Sequence, residues 1–180
     1  MNYTFLKTLE NTSYPQLNKI DELIYKWVDD SYDMKDKIHI ANELAESKIP
    51  NEYREDGDIF GYRCVKLTDS QLKSLTENRY IIMKNGLPLI SFSKYISGIS
   101  DFLPLKPDKK YIVFKKPLIS KDICIDVKKW FSLFKSKYKK LFNKECEVIC
   151  YVNKKLVSIY EKDLLDLLQV SKLINPSKGK

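Results

Sequence analysis

Three short stretches of this sequence carry side chains that are costly to place without a use. Glu145-Cys146-Glu147 sets two carboxylates one residue apart at the entrance to the apolar run 148–152. In a strand such residues point to one face, where the pair costs desolvation and mutual repulsion unless a cation or a bound molecule offsets it. Carboxylates fixed in that way stabilise positive charge that develops as a bond breaks, or take up a proton. Along Ile59-Phe60-Gly61-Tyr62-Arg63-Cys64-Val65, alternation puts Arg63 on the face of Ile59, Val65 and Leu67, aiming a guanidinium toward apolar surroundings. A carboxylate or a phosphate answers such a charge, and the flat fork of arginine suits a pyrophosphate. Ser91-Phe92-Ser93 presents two hydroxyls on one face, able to donate to a carboxylate or to hold a sugar. Each stretch also has a plain structural explanation: a solvated acidic edge beside Lys144, a salt bridge for Arg63, and a helix cap for Ser93 ahead of Lys94-Tyr95.

The elements that must position these groups follow from periodicity. Ser13 caps a first helix with Pro15 in its first turn, and Leu17, Ile20, Ile24, Trp27 and Val28 recur as one buried face. A second helix is predicted over about 35–47, with Ile38, Ala41 and Leu44 inward, and His39 within it as a structural residue. From Ile59 the pattern turns to short strands at 59–67, 80–83, 87–93, 111–114 and 119–127. A helix capped by Thr68 or Asp69, with Leu72 and Leu75 inward, follows the first strand, and Asn85-Gly86 marks a turn. Trp130, Phe131, Phe134, Tyr138 and Leu141 share one face of a lysine-rich helix ahead of Glu145. Strands 147–152 and 156–160 read as a hairpin, residues 161–169 as a short helix, and 170–180 as a frayed tail. The expected fold is α+β in a single domain over 1–180: helices in 1–50, then a mostly antiparallel core over 59–169.

Composition narrows the function classes. A chain of 180 residues, 43% hydrophobic and 12% aromatic, is long enough for one domain with its own core. No stretch approaches the ~20 continuous apolar residues of a membrane span, and residues 1–7 lack the basic segment and apolar run of a signal peptide. A soluble, cytoplasmic protein without membrane contact is expected. Cys64, Cys124, Cys146 and Cys150 form no CxxC pair and His39 is the lone histidine, so reduced thiols are expected and no metal. A hydrolase built on Ser/His/Asp or Cys/His finds no nucleophile motif near His39. The net charge of +8 is lysine-borne: Arg54, Arg63 and Arg79 are the only arginines among 32 basic residues. An AT-rich coding sequence accounts for that excess as well as nucleic-acid binding does.

Taken in order, an arginine in an early strand, a Ser-x-Ser in another and a Glu-x-Glu entering a later one form a combined pattern. Phe60-Gly61-Tyr62-Arg63-Cys64, Ile90-Ser91-Phe92-Ser93 and Glu145-Cys146-Glu147-Val148-Ile149 resemble the motifs of mono-ADP-ribosyltransferases of the arginine-serine-glutamate class. That group includes T-even phage and clostridial binary-toxin transferases. The resemblance spans residues 59–157 and implies a split β-sheet of the ADP-ribosyltransferase type. Ser91-Phe92-Ser93 stands where the family usually has Ser-Thr-Ser, and Cys64 follows the arginine where a small residue is common. The absence of GxGxxG and P-loop motifs accords with a family that holds NAD without a Rossmann fold.

The resemblance implies NAD+ as substrate, without metal, and contacts to it from Arg63, Cys64, Ser91, Phe92, Ser93 and Glu147. Arg63 would grip the pyrophosphate, Ser91 would position Glu147, and Ser93 with Phe92 would line the nicotinamide side. Glu147 would hydrogen-bond the ribose 2′-hydroxyl as positive charge builds on the sugar. Glu145 would orient and help deprotonate an arginine acceptor, whose pKa lies above ~12. The expected partner is a protein with an exposed arginine, such as host transcription or translation machinery, reached in the host cytoplasm by a phage-encoded enzyme. Two other readings stay open: the same NAD site with water or a nucleic acid as acceptor, or a non-catalytic lysine-rich nucleic-acid-binding protein that uses the basic helix 128–144.

Overall fold

The structure, a computed structural model, describes residues 18–28, 32–84, 86–102, 111–133, 146–152 and 156–166, with backbone alone for 100–102. The first described helix, α1 (Lys19–Val28), is capped reciprocally: Asp21 N–H donates to Asn18 Oδ1 at 3.0 Å and Asn18 N–H to Asp21 Oδ2 at 3.1 Å. It buries Leu23, Ile24 and Trp27; the expected Ser13 cap, Pro15 and Leu17 lie outside the described residues. Helix α2 (Met34–Glu46) starts where Asp36 N–H donates to Asp33 Oδ1 at 2.9 Å. Its inward stripe is Ile40, Ala41 and Leu44, whereas Ile38, expected inward, is 40% exposed. Together with Lys37 those three complete an i, i+3, i+4, i+7 row, and Ile38 stands to one side of it.

Among the described residues, seven strands form two sheets. The larger holds β1 (Ile59–Lys66), β3 (Leu89–Ser93), β4 (Tyr111–Leu118), β5 (Ile123–Asp126) and β6 (Glu147–Tyr151) in the order β4-β1-β3-β6-β5, and the smaller pairs β2 (Tyr80–Lys84) with β7 (Leu156–Tyr160). Every pairing is antiparallel. With helices in the first third and an antiparallel sheet after them, the fold is α+β. Leu89, Ile125 and Ile149 face a core shared with α1, α2 and the short helix α4 (Val127–Ser132). Ile90, Phe92, Val148 and Cys150 face the opposite core, closed by Ile81, Val157 and Ile159 of the β2–β7 ribbon and by Leu75 of α3 (Asp69–Asn78). Helix α3 begins with a capping box between Thr68 and Gln71.

Three expected elements differ. Strands β6 and β7 do not form a hairpin, because both edges of β6 are taken, by β3 and β5, and β7 pairs with β2 instead. The expected strand 119–127 is interrupted: β4 runs on to Leu118, Ser120–Asp122 make a 3-10 turn, and Asp126 caps α4 by accepting from Lys128 N–H at 2.9 Å. The expected helix 161–169 is a 3-10 turn over Glu161–Asp163, after which Leu164 bridges to Phe114 of β4. Phe134, Tyr138, Leu141, Asn85 and the tail lie outside the described residues. No helix among the described residues is long and apolar enough to cross a membrane. None of the four cysteines forms a disulfide among the described residues.

Candidate functional site

The order β1-β3-β6 makes the three motif-bearing strands consecutive neighbours. Ser91 and Glu147 lie on the helix-covered face of β3 and β6, in a ladder where Ser93 pairs with Glu147 and Ser91 with Ile149. Ser91 Oγ donates a short hydrogen bond to Glu147 Oε1. Trp27, near the end of α1 and 6% exposed, points its indole Nε1 at Ser91 Oγ at 3.0 Å and at Glu147 Oε1 at 3.3 Å. Both bonds to Glu147 fall on Oε1, so Oε2 has no hydrogen-bond partner among the described residues.

Arg63 arrives from the other side of the β1–β3 junction. These strands pair only at Tyr62↔Ser93, and beyond that point Arg63 Nη1 donates to the Ser91 carbonyl in place of a ladder bond. The Arg63 Nε is buried and has no hydrogen-bond partner among the described residues. The strands approach closely here because Gly61 has no side chain: a Cβ on it would lie 2.5 Å from Leu118 Cδ1 and 2.9 Å from Phe92 Cβ. Burial draws the Arg63 guanidinium below its ordinary pKa, an effect opposed by the charge of Glu147. Burial also dominates at Glu147 and pushes its carboxyl above the usual carboxylate range, against the hydrogen bonds from Ser91 and Trp27 and the charges of Lys37 and Arg63.

The strand carrying Glu147 starts abruptly. Cys146, buried, holds the left-handed φ of 43°, a conformation costing roughly 1–2 kcal/mol for a residue with a Cβ. Its carbonyl accepts from Lys94 N–H at 3.0 Å. The Lys94 side chain is tied down in turn: its ammonium bonds Glu55 and reaches Asp126 Oδ2 at 2.9 Å, and Asp126 is 1% exposed. Burial raises the Glu55 pKa, but the hydrogen bonds with Lys94 and Asp126 and the charge of Lys94 together outweigh it and bring the carboxyl down to about 2. An ion cluster therefore fixes the segment just before β6 against the end of β3.

The remaining predicted residues divide. Ser93 faces the same way as Ser91, but its hydroxyl donates to the Tyr95 carbonyl at 2.6 Å and accepts from Tyr95 N–H at 3.2 Å, the local capping role. Phe92 is 4% exposed and sits in the opposite core, edge-on to Phe114 with centroids 6.0 Å apart. Its placement corrects the expectation that it lines the site: strand alternation sends it away from Ser91. Cys64 likewise points away from Arg63, packed with Tyr62 against Ile99 and Val113, and burial raises its thiol pKa. Glu145 lies outside the described residues.

Sequence reasoning missed Trp27 and Lys37 as members of this site. Trp27 reads as one more apolar residue in a helical stripe; the available signal was that a buried indole N–H needs an acceptor. Lys37 Nζ bonds the Trp27 carbonyl at 2.9 Å and lies 6.0 Å from the centre of its ring. No protein-family model, no curated protein and no solved structure matches this chain.

Proposed function

We propose that the chain is an NAD-dependent mono-ADP-ribosyltransferase that transfers ADP-ribose to arginine side chains of target proteins. The observation that carries this reading is the adjacency of the strands bearing Arg63, Ser91 and Glu147, with Arg63 bonded to the Ser91 carbonyl, Ser91 Oγ bonded to Glu147 Oε1, and Oε2 without a partner among the described residues. A carboxylate held in this way suits a ribose 2′-hydroxyl as donor, and its charge opposes the positive charge that develops at C1′ as the bond to nicotinamide lengthens. Nicotinamide departs with the bonding pair, and a nitrogen of the acceptor then attacks C1′ and loses a proton. The Nε of Arg63, without a partner among the described residues, accords with an anion brought by the substrate. Glu145 is the acceptor-side carboxylate in this reading.

The test uses NAD labelled in its adenylate part, purified chain and bacterial lysate, with the modified residue mapped by mass spectrometry. The reading predicts labelled protein with the label on arginine. Glu145→Gln is expected to lower transfer at least ~100-fold while NAD hydrolysis persists. Label on nucleic acid, or NAD consumption with no labelled protein from the wild-type chain, contradicts the arginine assignment.

A further inference from the structure

We propose that Trp27 is a positioning residue for the Ser91–Glu147 pair, so that helix α1 belongs to the candidate active site and does more than cover the sheet. The inference rests on the reading of Glu147 as the catalytic carboxylate. Its basis is the direction of the hydrogen bonds. An indole N–H can only donate, and an ionised carboxylate can only accept. Ser91 Oγ, 3.0 Å from Trp27 Nε1, therefore accepts from the indole and turns its single proton toward Glu147 Oε1. The same N–H leans on Oε1 directly at 3.3 Å. Trp27 thus fixes both the rotor of the serine and the plane of the carboxylate, and directs Oε2 away from the protein donors. Helix α1 is held in register for this by Lys37 of α2, which bonds the Trp27 carbonyl at the helix end. Nearer the start of α1, Asp21 accepts from Tyr53 Oη at 2.9 Å and from Trp130 Nε1 at 3.0 Å, anchoring the helix to the 3-10 turn Asn51–Tyr53 and to α4.

The charged groups acting on Glu147 from the surrounding elements are Arg63 on β1 and Lys37 on α2.

Two measurements test the proposal. In steady-state nicotinamide release, Trp27→Phe, which keeps a ring and removes the donor, is expected to lower kcat about tenfold with KM changed less than about twofold. The acid limb of its pH profile should move upward, and Trp27→His, which restores a ring N–H, should recover part of kcat. The second measurement needs no catalysis: tryptophan emission followed from pH 4 to 8. The wild-type chain should show a titration that vanishes in Trp27→Phe and, independently, in Glu147→Gln. A titration persisting in Glu147→Gln, emission without a titration, or a Trp27→Phe enzyme with unchanged kcat and acid limb overturns the role of Trp27. A wild-type chain that releases no nicotinamide contradicts the proposed function instead, and the emission experiment still decides whether Trp27 senses Glu147.

Discussion

At the scale of single residues, the site is an arrangement that the protein stabilises only in part. Glu147 is pushed toward its neutral form by burial, and the Ser91 and Trp27 donors and the nearby cations offset this incompletely. In the proposed reaction, where Glu147 must be ionised to stabilise a cationic sugar, activity therefore rises as pH rises through its raised pKa. We expect the acid limb of the rate of nicotinamide release to lie above the ordinary glutamate value of about 4.3. A limb at or below that value, read from a pH profile of kcat, would contradict the placement of Glu147. The identities of Arg63, Ser91 and Glu147 were legible in the sequence because each residue type is conspicuous where apolar neighbours are the rule. Trp27 was not, because an indole suits an apolar stripe as well as a polar contact, and only tertiary structure brings its nitrogen to Ser91 from 64 positions away.

At the scale of elements, the β1–β3–β6 adjacency does the assembling, and it depends on Gly61. Any side chain there meets Leu118 and the Phe92 stem. Gly61→Ala should destabilise the chain by about 1–3 kcal/mol through overpacking, seen as a lower urea midpoint, and should reduce nicotinamide release by displacing β1 and with it Arg63. An unchanged midpoint would show that β1 tolerates the displacement. Strand alternation predicted correctly that Arg63 shares a face with Ile59 and Val65. It did not anticipate that β6 and β7 part company, since local pattern records where a strand runs and not which edges remain open. Nor did it anticipate the left-handed Cys146, for nothing in a Glu-Cys-Glu sequence announces that backbone.

At the scale of the whole molecule, two cores lie on opposite faces of one sheet, and an ion cluster joins Glu55, the residue after β3 and the end of β5. Lys94 answers Glu55 and Asp126 at once, and removing it leaves two carboxylates in a site built for a cation. Lys94→Met should cost roughly 3 kcal/mol, measured by denaturant unfolding at neutral pH. The sign of the pH dependence follows from Glu55. Its folded pKa is depressed to about 2, so its contribution is present above the unfolded value of about 4.3 and is lost as pH falls toward 2. The Lys94→Met penalty should accordingly shrink over that interval, and a penalty independent of pH would remove Glu55 from the account. The α+β class was readable from helical periodicity giving way to short apolar runs. The cluster was not, because Glu55, Lys94 and Asp126 are far apart in sequence and each reads as ordinary surface charge.

The central claim is that Glu147 cleaves the bond between nicotinamide and ribose in a site where Arg63 and Ser91 hold substrate and carboxylate. The most direct measurement is nicotinamide release from NAD by the wild-type chain and by Glu147→Gln, alongside calorimetric NAD binding by both. The account predicts release by the wild type, a loss of at least ~100-fold in the variant, and binding retained within a few-fold. Release undiminished in Glu147→Gln, or no NAD binding by the wild-type chain, would contradict it.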